Sequence, residues 1–228
     1  MSDTAPIVDL AIAQLSIGDY APIRSEYWLT LAGTIREYLY TDGVRITKFR
    51  NDYRKAIQNA FYPAFEMGLT DGGGEVPATG DDLAWINAKA DAERGFADSL
   101  FGQLKELKDA QKAENAEAKE EGRRPENLFE GVPERRADGY ADTLDSVYSQ
   151  GKIRGAKDQM LTFGGQAGQE GPCGTTGTCA RLMGQRHRAS WWVKRHLVPG
   201  EPGNEAYDCR SYNCHHFLFN DRGEIFNV

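Results

Sequence analysis

Histidine and cysteine are scarce in this chain, four of each in 228 residues. All eight fall between Cys173 and His216. Long apolar runs are missing as well, and no stretch approaches the length needed to span a bilayer. The amino terminus, Met1-Ser-Asp-Thr-Ala-Pro, has neither the basic start nor the apolar core of a secretion signal, so a cytosolic site of synthesis is expected, where thiols stay reduced. Between Gly171 and Gly200 there is no Asp or Glu, whereas Arg181, Arg186, Arg188, Lys194 and Arg195 supply positive charge. A local basic patch is therefore expected on a body whose net charge is −7. That acidic balance gives the molecule as a whole no electrostatic reason to coat nucleic acid. The glycine-rich run Gly164 to Gly171 lacks the Gly-Lys-Ser/Thr ending of a phosphate-binding loop, which excludes that reading.

What is present is globular. Hydrophobic residues make up 40% of the chain and charged residues 27%, enough to bury a substantial core in one sizeable domain or two small ones. The cysteines form two pairs, Cys173 with Cys179 across five residues and Cys209 with Cys214 across four. Two short loops joined by a longer one bring four sulfurs to one point, which is how a structural zinc site is written, because zinc takes four soft ligands in a tetrahedron. His215 and His216 are substitutes for a cysteine ligand. Disulfides and inert buried thiols remain the alternatives.

The rest reads as helices. Residues 1–22 form an amino-terminal arm with small apolar residues and Pro6 and Pro22 as punctuation. Tyr27, Trp28, Leu31, Ile35, Tyr38 and Leu39 recur at helical spacing from Arg24 to Tyr40, and Thr41-Asp42-Gly43 ends that helix. A second helix runs from Ile46 to Gly68 with Phe49, Tyr53, Ile57, Ala60, Phe61 and Ala64 inward and an expected kink at Pro63. A third begins near Asp82 with Leu83, Ile86, Ala90, Ala97, Leu100, Leu104 and Leu107 inward. It continues as an Ala-rich charged extension to Gly122, expected to project into solvent. A connector, 122–134, leads to a fourth helix from Glu134 to Gln159, in which Gly139, Gly151 and Gly155 weaken the helix but allow close packing. Met160 to Phe163 reads as a strand, and His216 to Asn220 with Glu224 to Asn227 as a closing hairpin. The expected fold is mainly α, an elongated helical region (23–134) carrying a small α+β cysteine-rich module (135–228).

Three functional patterns compete within that module. Trp191-Trp192 with Arg186, Arg188, Lys194 and Arg195 could grip bases and phosphates, although packing over the cysteines is the plainer role. His215-His216 ahead of a hairpin resembles the start of a metal-dependent nuclease site, but no paired carboxylates lie nearby to hold magnesium. Cys179 beside His187, His196 or His215 could form a thiol nucleophile and base, but nothing local marks one cysteine as activated.

One family resemblance runs through these residues. The series Tyr140-Ala-Asp-Thr-Leu, Tyr148, Gly151-Lys-Ile-Arg-Gly155, Cys179, Leu182, Gly184-Gln185, His187, Trp191-Trp192, Val198-Pro199, Cys209 and Cys214-His215 resembles the carboxy-terminal module of the Mu F-like phage head morphogenesis proteins. The resemblance implies a non-catalytic minor head protein of a tailed phage, assembled in the host cytoplasm and incorporated into the virion beside the portal vertex. Its implied partners are the portal or major capsid protein, in an oligomeric setting, with contact to packaged DNA and none to a membrane.

Overall fold

The computed structural model describes residues 20–165, 177–201, 204–208, 214 and 216–226. Most of the expected arm, residues 1–19, lies outside them. Helix α1 spans Tyr20–Tyr40, α2 Ile46–Asp71, α3 Gly80–Glu121 and α4 Val132–Gly155. The protein is mainly helical, with a small three-stranded antiparallel sheet near its carboxyl end.

The helices form where apolar residues repeat at three and four positions. On α1, Tyr27, Leu31, Ile35, Tyr38 and Leu39 are buried, and on α2 so are Phe49, Tyr53, Ile57, Ala60, Phe61 and Ala64. Pro22 sits in the first turn of α1, where the missing amide proton has no helical partner to lose. Pro63 does not interrupt α2. Its neighbours Phe61, Ala64 and Phe65 are all fully buried, and their packing outweighs the one helical hydrogen bond that proline removes.

Helix α2 is the central element. It runs antiparallel to α1, with Tyr27 meeting Phe61 at one level and Tyr38 meeting Phe49 at another. It runs antiparallel to α3 as well, from Arg50 beside Asp98 to Phe65 stacked on Trp85. Against α4 it runs parallel: the Phe65 carbonyl faces Gly151 and the Leu69 carbonyl faces Gly155. Polar contacts along the other side of α4 fix it to α1. Tyr20 and Arg24 bond Asp145, the Trp28 indole donates to Asp138 at 2.7 Å, and Arg36 pairs with Glu134.

The 42 residues of α3 span about 63 Å at 1.5 Å per residue. Its distal part is less bare than its composition implied. After Gly122 the chain turns back along it: Gln111 bonds the Leu128 amide and the Glu126 carbonyl, each at 2.7 Å, and Glu114 accepts from the Glu126 amide at 2.8 Å. Ala118 is buried beneath this return. The Arg123 guanidinium holds the Glu114 carboxyl well below the usual range, at about 2.

Past α4 the chain builds a second, smaller layer. Strand β1 (Met160–Gly165) lies between β2 (Arg186–Arg188) and β3 (His216–Phe219), both antiparallel to it. Leu161 faces His187, and Phe163 faces Leu218. Two six-residue helices, α5 (Gly177–Leu182) and α6 (Ala189–Lys194), flank β2. The closing hairpin is made by one bridge, Phe219 to Ile225, and by the Phe226 amide on the Leu218 carbonyl at 2.7 Å. Two apolar cores result, one from Ile23 to Val147 and one from Ile153 to Phe226, and α4 contributes to both.

Candidate functional site

Phe163, on the middle strand, is the centre of the second core. Trp192, Tyr207 and His216 surround it with ring centroids at 6.0, 6.3 and 5.2 Å. Two of these partners are anchored: the Trp192 indole donates to the Leu161 carbonyl at 3.2 Å, and the Tyr207 hydroxyl to the Leu197 carbonyl at 2.6 Å.

Around this aromatic cluster the cysteine-bearing segments converge. Cys179 is buried on α5. The Asp208 carboxylate caps that helix by accepting the Thr178 amide at 2.7 Å, so the chain immediately before Cys209 touches the residue before Cys179. Gly177 has a φ of +77°, a left-handed conformation that favours glycine, and a side chain there would also lie 2.0 Å from the same carboxylate. Cys214 precedes β3, its sulfur 4.0 Å from the His216 Nδ1. Two ligands on one tetrahedral zinc, at 2.3 Å for sulfur and 2.0–2.1 Å for nitrogen, stand about 3.6 Å apart, so this pair is close to a chelating separation. Of the other expected metal ligands, Cys173, Cys209 and His215 lie outside the described residues. Among the described residues no three Cys, His, Asp or Glu side chains gather into a metal site.

Two of the basic residues, Arg186 and Arg188 on β2, have acidic partners among the described residues. Arg186 pairs with Asp221 at 2.6 Å and Arg188 with Asp158 at 2.5 Å. Both acids come from outside the acid-free stretch and offset part of its positive charge. Lys194 is exposed. Arg195 lies 4.4 Å over the Trp191 ring, and His187 stacks parallel to that ring at 3.6 Å. Trp191 is thus engaged by both His187 and Arg195, and Trp192 is fully buried.

The chain matches no family model, no curated protein and no solved structure. The described residues of the motif series read from the sequence are divided between α4 and the second core. Tyr148 stacks on Tyr20 at 4.4 Å and bonds Asp71, and Gly151 and Gly155 lie at the α2 crossing. Leu182, Trp192 and Val198 belong to the second core. The Gln185 amide donates to the Arg181 carbonyl at 2.6 Å.

Two polar clusters escaped the sequence reading. At the junction of the two cores Arg154, only 9% exposed in its side chain, pairs with Asp82 at 2.9 Å and lies over Trp85, while Gln150 donates to Glu201 at 2.9 Å. Burial pushes the Glu201 carboxyl above its ordinary range, against the opposing pull of Lys89, Arg154 and His196. The only available signal was the spacing of Gln150 and Arg154 on one helix face, and it does not name partners more than 50 residues away. The second cluster surrounds Glu93, an acid placed on the otherwise apolar stripe of α3.

Proposed function

We propose that the protein is a structural minor head protein of a tailed bacteriophage, seated beside the portal vertex, with a carboxy-terminal module fastened by zinc. The observation that carries this reading is the placement of the pattern residues. Those described run from the α2–α4 crossing to the Phe163 core and serve to join a compact module to a helical body. Such a joint suits a part that transmits position within an assembly. The zinc component is supported by the Asp208 tie between α5 and the segment leading to Cys209, and by the separation of Cys214 and His216. In this reading Cys173, Cys179, Cys209 and Cys214 are the ligands, with His215 or His216 able to replace one, and zinc is structural.

Co-expression with portal and major capsid protein tests the assembly role: co-purification with either is expected, and its absence in assembled heads counts against it. Metal analysis of protein purified under reducing conditions should give one zinc per chain. Cys209→Ala should release it and lower the amide protection of β1 to β3 while α1 and α2 keep theirs.

A second reading, a zinc-stabilised nucleic-acid-binding module, draws on the exposed Lys194 and the arginines of β2 and α6. The ion pairs to Asp158 and Asp221 count against it. Its signature is a salt-sensitive gel shift lost when Arg186, Arg188 and Arg195 are replaced together. Magnesium-dependent nicking of DNA would instead point to the nuclease reading.

A further inference from the structure

The first core contains one buried charged side chain among its described residues. Glu93 is 4% exposed and stands between Ala90 and Ala97 on the face of α3 that meets the bundle. Each of the other three helices sends a tyrosine toward it. Tyr53 of α2 donates to the Glu93 Oε1 at 3.2 Å. Tyr140 of α4 meets the Tyr53 ring edge-on at 5.5 Å. Tyr27 of α1 is 2% exposed, and its hydroxyl is buried with no hydrogen-bond partner among the described residues. Burial first, and the charge of Glu93 after it, push the Tyr27 and Tyr53 phenols upward. The cation acting on Glu93 is Lys89, one turn earlier on α3; Arg94 beside it is engaged by Asp91, and Arg136, near Tyr140, by Gln103.

This is a poor setting for a carboxylate. One long hydrogen bond is a small return for removing a full charge from water, whereas a protonated carboxyl is far cheaper to bury. It is also a consequential place. Helix α3 rests chiefly on α2, touching α1 and α4 at few points. Polar ties at Arg154–Asp82 and at Lys108, which caps the last carbonyls of α1, hold the ends of its packed stretch.

We propose that the Glu93–tyrosine cluster is a pH-gated latch: with the carboxyl protonated the Ile86–Leu104 stretch of α3 stays seated on α2, and ionisation lets that stretch lift away. The sign follows from proton binding. Burial raises the Glu93 carboxyl above its ordinary range, against smaller opposing effects of Lys89 and the Tyr53 hydrogen bond. The seated state therefore holds the proton more tightly than the lifted state. Between the ordinary carboxylate range and the seated value, lifting releases one proton and becomes about tenfold easier per pH unit. Below that window pH has no effect through this group, and above it the carboxylate is charged in both states. The lifted state exposes an apolar α2 face that includes Phe49 and Phe65, which pack on Phe101 and Trp85 when the helix is seated.

Amide hydrogen exchange on the full-length protein from pH 4.5 to 8, corrected for intrinsic exchange, tests the latch. Protection of residues 86–104 should fall by up to about tenfold per pH unit in one window while the buried amides of α1 and α4 hold theirs. Glu93→Gln, which keeps the shape and the acceptor for Tyr53, should remove that dependence and leave α3 protected throughout. Identical pH profiles in both proteins would overturn the latch, as would loss of protection in step across all four helices. If the variant does not fold, carboxyl-carbon NMR of Glu93 in the unaltered protein decides: a midpoint within the ordinary carboxylate range overturns it, and a raised midpoint tracking the exchange window supports it.

Discussion

Replacing Gly151 by alanine should lower stability by up to about 2 kcal/mol net, visible as a fall in the urea midpoint with an unchanged slope. A methyl group there would lie 2.1 Å from the Phe65 carbonyl oxygen, and at Gly68 2.1 Å from the Tyr148 carbonyl oxygen. Neither obstacle is a side chain that can swing aside. Each is the backbone of the facing helix, so the crossing itself would have to open. Two effects of opposite sign compete at Gly151. Alanine is the better helix former by about 1 kcal/mol, whereas overpacking of a rigid contact costs about 1–3 kcal/mol and at times more. With backbone as the obstacle the steric effect wins.

The same helix supplies the control. Nothing lies within 4 Å of a side chain built at Gly139, so Gly139→Ala should gain the helix-propensity benefit alone, about 0.5–1 kcal/mol. Opposite signs at two glycines of one helix isolate the crossing as the cause. The double variant Gly68→Ala with Gly151→Ala should cost less than the sum of its parts, because one wedge already separates the backbones that the second would meet. Strict additivity would mean that the two glycines do not share a contact.

That crossing also shows how far the sequence could be read. Of the three glycines that read as permitting close packing, Gly151 and Gly155 lie at the crossing and Gly139 faces open space, and the stripes of α1 and α2 followed from spacing because periodicity is a local property. The facing element was another matter. That Gly151 meets Phe65, and that α4 runs parallel to α2, depend on contacts about 86 positions apart, which no short-range pattern encodes. Helix ends slipped for a related reason. The fourth helix stops at Gly155, not Gln159, because the Ser190 amide bonds the Lys157 carbonyl and the Ala189 amide bonds the Gln159 carbonyl, drawing that segment toward the sheet. Leu83 reads as a core residue from spacing yet is 39% exposed, because the Asp82–Arg154 tie and the Trp85–Phe65 stack set the rotation of the first turns of α3. At the cysteine-rich end the residue types suggested a metal site whose ligands lie partly outside the described residues, and the order of strands around Phe163 did not follow from them, since β1 pairs with β3 across more than 50 residues.

Trp192→Ala should be at least as damaging as the glycine wedge but should act elsewhere. Trp192 is fully buried against Phe163, with His187 and Trp191 edge-on to it, and its indole satisfies the Leu161 carbonyl. Truncation leaves a large cavity and removes one indole hydrogen bond inside a small core, a loss of about 3–5 kcal/mol. A core built from so few large residues cannot absorb that loss, so amides of β1, β2 and β3 should lose protection while those of α2 around Tyr53 to Phe65 keep theirs. Trp191→Ala is the comparison. Its ring is only half-buried, so losing the stack with His187 and Arg195 should cost about 1 kcal/mol and leave the strands protected. The shared helix makes the outcome informative. Ile153 belongs to the Trp192 core, whereas Leu144 and Val147, two to three turns earlier on α4, belong to the helical one. If α2 lost protection together with the strands, α4 would be transmitting failure from one core to the other and the chain would unfold as one unit. Retained protection in α2 means that the turn after Val147 is where cooperativity ends, and the module could then be reshaped without disturbing the bundle that carries it.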